Sequence, residues 1–352
     1  MPALIKVTLS LCLLICLSTA LKAKDKPTNL TAPKEWQSKE EKTHKWVGKI
    51  WSTKEQRFIE PATLEKALKN SRYVLLGETH DNPDHHRLQA NIIGFLTETA
   101  KAKNSLKPAL VMEMIRVDQM HRLESYLASE QPKAELIGAA LQWQANGWPS
   151  WTIYQPIGEQ IVAHQLDVYP GLAHRRLNTY LIKSNIFALP EAEQKNLKLT
   201  SPLAPDLQKA LEEDIRLSHC NKLPERVINP MANVQRFRDA WMADVMITAA
   251  TDQKSPRQVI LIAGAGHTRP DRGAPWYLRA RQAPEHEKTI SLQFAEIKNK
   301  ANAITDLAAT APDGTPAADY IWVTPRQKRG NMCDRIPDFG KKNSASPKKA
   351  TP

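Results

Sequence analysis

The 352-residue chain lacks the short motifs that identify several large enzyme classes. It has no GxGxxG loop after a strand-like run, no P-loop and no GxSxG elbow, and neither HExxH nor the CxxCH haem-attachment pattern occurs. Zinc-finger, helix-turn-helix and ribonucleoprotein patterns are also absent. Although the net charge is +12, these absences together with the predicted export described below argue against nucleic acid as a partner.

Cysteine is scarce, and two of the four cysteines lie in a short apolar run at the N-terminus. This run, residues 7–17, is followed by the small residues 18–20, as in a signal peptide with its cleavage site. It is shorter than the roughly 20 residues that span a bilayer. Neither Cys12 nor Cys16 follows the small residues of a convincing lipobox. We therefore predict a signal peptide at 1–20 and an exported protein.

The two remaining cysteines, Cys220 and Cys333, belong to the mature chain. In an oxidising compartment such a pair forms a disulfide more often than it binds a metal. The positive net charge favours anionic ligands, such as phosphate, carboxylate or an acidic membrane surface.

Composition divides the chain into one domain with polar ends. Residues 21–44 are rich in lysine, proline and threonine and predict a flexible linker, and 339–352 predict a disordered basic tail. Between them, 45–338 carry strand-like and helical patterns with enough apolar residues for one large core.

Three continuous apolar runs, 74–76, 110–112 and 259–262, are typical of strands buried on both faces of a parallel sheet. Alternation of strands and helices predicts an α/β fold with a mainly parallel central sheet flanked by helices. A largely helical insert, about 177–251, precedes the last of these runs, which we expect to be the last buried strand. Two later strands, 289–294 and 320–323, are expected at antiparallel edges.

Acid and histidine residues follow each of these runs, where open α/β sheets bind their ligands. Glu78 and His80 follow the first run, Glu113 and Arg116 the second, and His267 the third. Such residues could bind a metal, act together as acid–base groups or hydrogen-bond a ligand. Each one alone could equally be structural: a polar loop that caps a helix, or a Glu113–Arg116 ion pair.

Two further features border this predicted site. His86 and Gln89 are three residues apart on the helix after the first run and share a face. Tyr154 follows Trp148 and Trp151 in an aromatic segment. Aromatic clusters usually belong to the core, but this one could also stack on a flat anionic ligand, with a tyrosinate as ligand to ferric iron.

The order of these motifs resembles the haem-binding uptake proteins of the ChaN type, in the wider group that includes erythromycin esterases and Tiki proteases. The resemblance covers roughly 46–334. The motifs that carry it are Gly77-Glu78-x-His80 with His86 and Gln89, Glu113-Met114 with Gln119, Tyr154-x-Pro156, Arg238-Asp239-x-x-Met242-Ala243, Gly264-x-Gly266-His267 with Gly273-x-Pro275, His219-Cys220, Asp319-Tyr320 and Cys333.

The resemblance implies a single α/β domain that is periplasmic or peripheral to the outer membrane and binds haem without being an enzyme. It implies a tyrosine as axial ligand. We assign this role to Tyr154, which matches a motif position, with Tyr73, Tyr169 and Tyr277 as alternatives. It also implies haems paired in a homodimer, with an outer-membrane haem receptor as a further partner. The other cofactor-binding residues that we predict are His80, His86, Glu113, Arg116 and His267. The alternative is a metal-dependent hydrolase in which Glu78, His80 and His267 bind a divalent metal or activate water.

Overall fold

The computed structural model of the protein describes residues 30–252, 257–298, 301–334 and 336. The predicted signal peptide and basic tail lie outside these residues. Within them, one eight-stranded sheet has the order β2-β1-β8-β7-β3-β6-β4-β5. The strands are β1 (Ile50–Ser52), β2 (Arg57–Ile59), β3 (Tyr73–Glu78), β4 (Ala109–Arg116), β5 (Val168–Leu172), β6 (Val259–Gly264), β7 (Thr289–Glu296) and β8 (Tyr320–Thr324).

The six strands from β8 to β5 run parallel, and the hairpin β1–β2 adds an antiparallel edge. The predicted α/β class with a mainly parallel sheet is therefore confirmed. The prediction that the two late strands, β7 and β8, lie at antiparallel edges was wrong, because β7 pairs in parallel with both β3 and β8. Strand β6 is consequently not the last buried strand. A short buried run in the sequence does not reveal which neighbour it will pair with.

Helices cover the sheet and fill the insert. The α-helices of the described residues are α1 (Pro61–Lys69), α2 (Pro83–Ala102), α3 (Met120–Leu127), α4 (Ile137–Ala140), α5 (Trp151–His164), α6 (Arg175–Ser184), α7 (Glu191–Asn196), α8 (Pro205–Ser218), α9 (Glu225–Thr251) and α10 (Ala274–Ala280). Helix α2 begins at Pro83, since proline is favoured in the first helical turn, and the side chain of Asn82 caps it by accepting from the amide of Asp84. Pro230 lies inside α9.

Alternate residues of β3 face two different helical layers. Val74 and Leu76 pack in the cluster that includes α2 and α5, whereas Tyr73 and Leu75 pack in the cluster that includes α9 and α10. Every residue of β3 is buried as a result. This two-sided burial explains why the run has no polar alternation, and it leaves the carboxyl ends of the strands as the place for polar groups.

The two ends of the described chain are fastened to the domain. Residues 30–44, predicted to be part of a flexible linker, lie against it: the amide of Leu30 donates to Glu65 (2.7 Å) and that of Ser38 to Asp84 (2.8 Å). Cys220 and Cys333 form the predicted disulfide. None of the helices in the described ranges is long and apolar enough to cross a membrane.

Candidate functional site

Strands β3, β4 and β6 are neighbours, so their carboxyl ends bring the predicted polar residues together. Glu78 lies opposite Gly264 in the register, and β4 flanks β6 on its other side. We call the resulting group the acid–imidazole cluster; its members are Glu78, His80, His86, Glu113, Asp239 and His267.

Glu78 lies at the centre of one half of this cluster. Its Oε1 accepts from Nδ1 of His80 (2.8 Å), and its Oε2 lies 2.9 Å from Nδ1 of His86. Burial acts to raise the pKa of Glu78, but the imidazoles of His86 and His80 outweigh it and hold the pKa well below the ordinary value. The pKa of His80 shifts upwards. Burial would lower it, but the carboxylates of Glu78 and Glu113 raise it to about 9.

His267 lies between two carboxylates in the other half. Its Nε2 is 3.1 Å from Glu113 and its Nδ1 is 2.6 Å from Asp239. Against the effect of burial, these two acids raise the pKa of His267 to about 10, and the pKa of Glu113 falls to about 2. The pKa of Asp239 rises to about 6 instead, because its own burial outweighs the pairing with His267. At neutral pH this half therefore contains a buried imidazolium between two carboxylates.

The hydroxyl of Tyr154 points inwards to the acid–imidazole cluster. Its side chain is fully buried, and its hydroxyl donates to Oε1 of Glu78 at 2.8 Å. The ring stacks on His86, with centroids 3.7 Å apart. Burial and the Glu78 carboxylate both raise the pKa of Tyr154, so the phenol keeps its proton. Tyr154 therefore occupies a core position in this structure, and its role as an iron ligand stays a prediction.

The remaining predicted residues border the cluster. Arg116 does not pair with Glu113; it binds Asp118 and donates to Asn146 at 2.8 Å. Gln89 accepts from His86 at 3.1 Å. Across the described ranges, no three His, Cys, Asp or Glu side chains form a group that could hold a metal ion. The cluster's acids and imidazoles contact one another instead.

An apolar groove that the sequence analysis missed adjoins the cluster. This groove, the α6–α8–α9 groove, has a volume of about 750 Å³. Its apolar lining includes Ile182, Ile215, Leu223, Val227, Met231 and Val234. Three basic side chains also line it, His219, Arg226 and Arg238. Gln235, another lining residue, connects the groove to the cluster, since its side-chain nitrogen lies 3.1 Å from Nδ1 of His267.

Two signals in the sequence could have indicated this groove. Positions 227, 231, 234 and 238 recur at helical spacing and therefore share one face of α9. His219, Arg238 and Asp239 belong to motifs of the family resemblance, but the sequence alone indicates no role for these three residues. Asp239 was missed as a member of the cluster for the same reason.

Fold and site together define an α/β protein with a buried polar cluster at the carboxyl edge of a mainly parallel sheet. The chain belongs to the haem-binding uptake family of the ChaN type, in the Tiki superfamily, whose sequence profile matches residues 64–278. This membership confirms the resemblance found in the sequence. No curated protein matches the chain.

Two solved structures are similar to the chain at low sequence identity. ChaN of Campylobacter jejuni, described with cofacial haem binding, is 20% identical; the match covers 78% of this chain and 95% of that chain, with a TM-score of 0.59. A mutant of the erythromycin esterase EreC is 13% identical over 81% of this chain and 99% of that chain, with a TM-score of 0.40. At 20% identity the likeness to this ChaN protein concerns the fold alone.

Proposed function

We propose that the chain is an exported haem-binding protein and that haem lies in the α6–α8–α9 groove beside the acid–imidazole cluster. The observation that carries the proposal is the groove itself, which combines an apolar lining with cationic side chains in a family described as haem-binding. Haem is a planar apolar ring with two carboxylates, so it needs both kinds of surface.

The residues of the groove fit this ligand in size and charge. Its volume of about 750 Å³ is typical of small-molecule sites. Within the described part of the chain, neither Arg226 nor Arg238 pairs with a carboxylate, and Nε of Arg238 is buried without a hydrogen-bond partner. A buried donor of this kind is costly unless a ligand satisfies it. A propionate carboxylate would do so.

The proposal includes the finer expectations from the sequence. Export would depend on the signal peptide at 1–20, and would place the protein in the periplasm or at the outer membrane. There it would take part in haem uptake, with an outer-membrane receptor as partner. Side chains such as Ile182 and Phe187 are more than half exposed and offer apolar surface for a homodimer.

The predicted ligand residues at the strand ends take a supporting role in this proposal. Tyr154 would have to break its bond to Glu78 before it could reach iron. His86, Glu113 and His267 are buried, and their ion pairs stabilise the carboxyl edge of the sheet.

Titration of the mature chain with haemin tests the proposal. We expect a saturable Soret band at one haem per chain, with micromolar or tighter affinity. The charge-reversed variant Arg226→Glu/Arg238→Glu should bind much more weakly, because it places carboxylates beside the propionates. A wild-type titration without a saturable band would contradict the proposal.

A second candidate, a hydrolase, is favoured by one observation: His267 is held between Glu113 and Asp239 in the manner of an acid–base group. Its pKa of about 10 keeps it protonated at neutral pH, which suits a general acid, while the Glu78 carboxylate would activate water. Ester hydrolysis that disappears in His267→Gln, measured with and without chelator, would support this candidate. Equal rates in the wild type and the variant would refute it.

A further inference from the structure

We propose that residues 325–333 form a strap that holds the loop carrying His80, and that reduction of the Cys220–Cys333 disulfide releases this strap. The strap follows β8 and runs from the loop after β3 to the turn between α8 and α9. His80 has the most exposed side chain of the acid–imidazole cluster, at 34%, so it is the cluster's main contact with solvent. The proposal concerns access to the cluster and does not depend on where haem binds.

Arg329 fastens the strap to the carboxyl edge of the sheet. Its Nε and Nη2 donate to the two carboxylate oxygens of Asp81 at 2.7 and 2.5 Å. Its Nη1 and Nη2 donate to those of Glu296 at 2.6 and 2.7 Å. Asp81 directly follows His80, whereas Glu296 is the last residue of β7. One guanidinium therefore joins the His80 loop to a strand of the sheet through paired, charge-assisted hydrogen bonds.

The same guanidinium neutralises two carboxylates that lie close together. Asp81 and Glu296 both accept from Nη2 of Arg329, and within the described residues neither acid forms an ion pair with another cation. If Arg329 withdraws, the two like charges repel each other. Because Glu296 belongs to a strand, we expect the loop to be the part that moves. The bond from Asn82 to Glu296 (2.6 Å) would then be strained by this repulsion.

The disulfide fastens the other end of the strap. Cys333 is bonded to Cys220, which lies in the turn between α8 and α9. Lys222, in the same turn, donates to the carbonyl oxygens of Cys333 and Ile336, the latter at 2.9 Å. The strap therefore connects two parts of the domain that belong to different segments of the chain.

The middle of the strap contributes little to its attachment. A Cβ at Gly330 would meet no atom within 4 Å, and the side chain of Asn331 bonds to nearby residues, Cys333 and Asp334. Only three residues separate Arg329 from Cys333, so the intact disulfide keeps the guanidinium at a high effective concentration beside its two acids. Without the disulfide, the attachment depends on a partly exposed ion-pair group, and such pairs are individually weak.

The step that opens the strap is a thiol–disulfide exchange with a dithiol reductant. One thiolate of the reductant attacks a sulfur of the Cys220–Cys333 bond and forms a mixed disulfide. The second thiol of the reductant then closes a cyclic disulfide, so the reductant gives up two electrons and two protons and both cysteines become thiols. Cys220 and Cys333 are both partly exposed, which allows this attack.

Hydrogen exchange of the full mature chain, measured by mass spectrometry with and without dithiothreitol, tests the strap. We expect the amides of 79–82 to exchange at least roughly tenfold faster after reduction, because local opening requires only that the strap detaches. The loop 103–107, between α2 and β4, is the reference because it has no bond to the strap. No change at 79–82, or an equal change in both loops, would overturn the proposal.

Arg329→Gln tests the other attachment while the disulfide is intact. We expect faster exchange at 79–82 in this variant, and a smaller further increase on reduction than in wild type, because both changes release the same strap. The matched control is Lys328→Gln, since Lys328 is exposed and has no ion pair or side-chain hydrogen bond in the described ranges. Wild-type exchange in Arg329→Gln, or full additivity with reduction, would refute the role of Arg329.

Modification by diethyl pyrocarbonate measures access to the cluster directly. In the closed strap, Nδ1 of His80 donates to Glu78 at 2.8 Å. We expect reduction to accelerate the modification of His80, whereas His121, on an exposed face away from the strap, should react at the same rate in both states. If His80 reacts equally fast in the oxidised and reduced protein, the strap does not control access to the cluster.

Discussion

Replacing Glu113 with glutamine tests whether the acid–imidazole cluster is a set of buried ion pairs. The Glu113 carboxylate accepts from the amide of Gly264 at 2.8 Å and lies 3.1 Å from Nε2 of His267. Glutamine keeps the shape but removes the charge, and its amide nitrogen would face one of these two donors. Breaking a buried pair from one side costs about 3–5 kcal/mol, so we expect a loss of that size in the free energy of unfolding near neutral pH.

The free energy of unfolding that Glu113→Gln loses should change with pH in a direction that the pKa shifts determine. Because the pKa of His267 is raised from 6.5 to about 10, its contribution to stability is complete below pH 6.5 and disappears as the pH rises through 10. The slope is about 1.4 kcal/mol per pH unit. The pKa of Glu113 is lowered from 4.5 to about 2, so its contribution is complete above pH 4.5 and disappears as the pH falls through 2. The effect of Glu113→Gln should therefore be largest between pH 4.5 and 6.5.

Urea unfolding at about pH 5.5 and about pH 9.5 measures both effects. The matched control is Glu130→Gln, because Glu130 is exposed and has no ion pair or side-chain hydrogen bond among the described residues. The control should stay within about 0.5 kcal/mol of wild type at both pH values. If Glu113→Gln lowers the free energy of unfolding by less than about 1 kcal/mol at the lower pH, the cluster does not consist of buried ion pairs. An equal loss at both pH values would refute the same claim.

Three other predictions follow from packing and covalent geometry. Replacing both cysteines of the Cys220–Cys333 disulfide, 113 residues apart, with alanine should lower the free energy of unfolding by about 5 kcal/mol in denaturant titrations, and no loss would contradict the chain-entropy argument. Gly171→Ala would place a Cβ 2.6 Å from the backbone of β4, and should lower the melting temperature; an unchanged value would show that β5 can shift freely. Tyr154→Phe loses a hydrogen bond to the Glu78 carboxylate and should cost about 1.5–3 kcal/mol in urea unfolding, while the haemin spectrum should not change.

Much of the fold could be predicted from the sequence because the strands of the centre are buried on both faces. The residues of β3 and β6 form apolar runs. Strand β3 ends at Glu78, and His267 lies three residues after the end of β6, at the carboxyl edge of the sheet. The position of β7 could not be predicted, since its pairing with β3 depends on long-range contacts. Local pattern alone contains no information on the order of strands in a sheet.

The candidate site could be predicted only in part, for a related reason. The sequence indicates which polar residues follow strands, and these residues do meet: Glu78, His80, Glu113 and His267. It does not indicate the direction of a side chain within a helix. Tyr154 follows two tryptophans, yet its hydroxyl points inwards to Glu78. Arg238 and His219 lie in separate segments, and only the packing of α8 against α9 brings them to one groove.

The most direct test of the account is the crystal structure of the haemin complex, with iron located by anomalous diffraction at its absorption edge. The account predicts an iron peak inside the α6–α8–α9 groove, with the propionates next to Arg238. An iron peak beside Tyr154 or within the acid–imidazole cluster would contradict it.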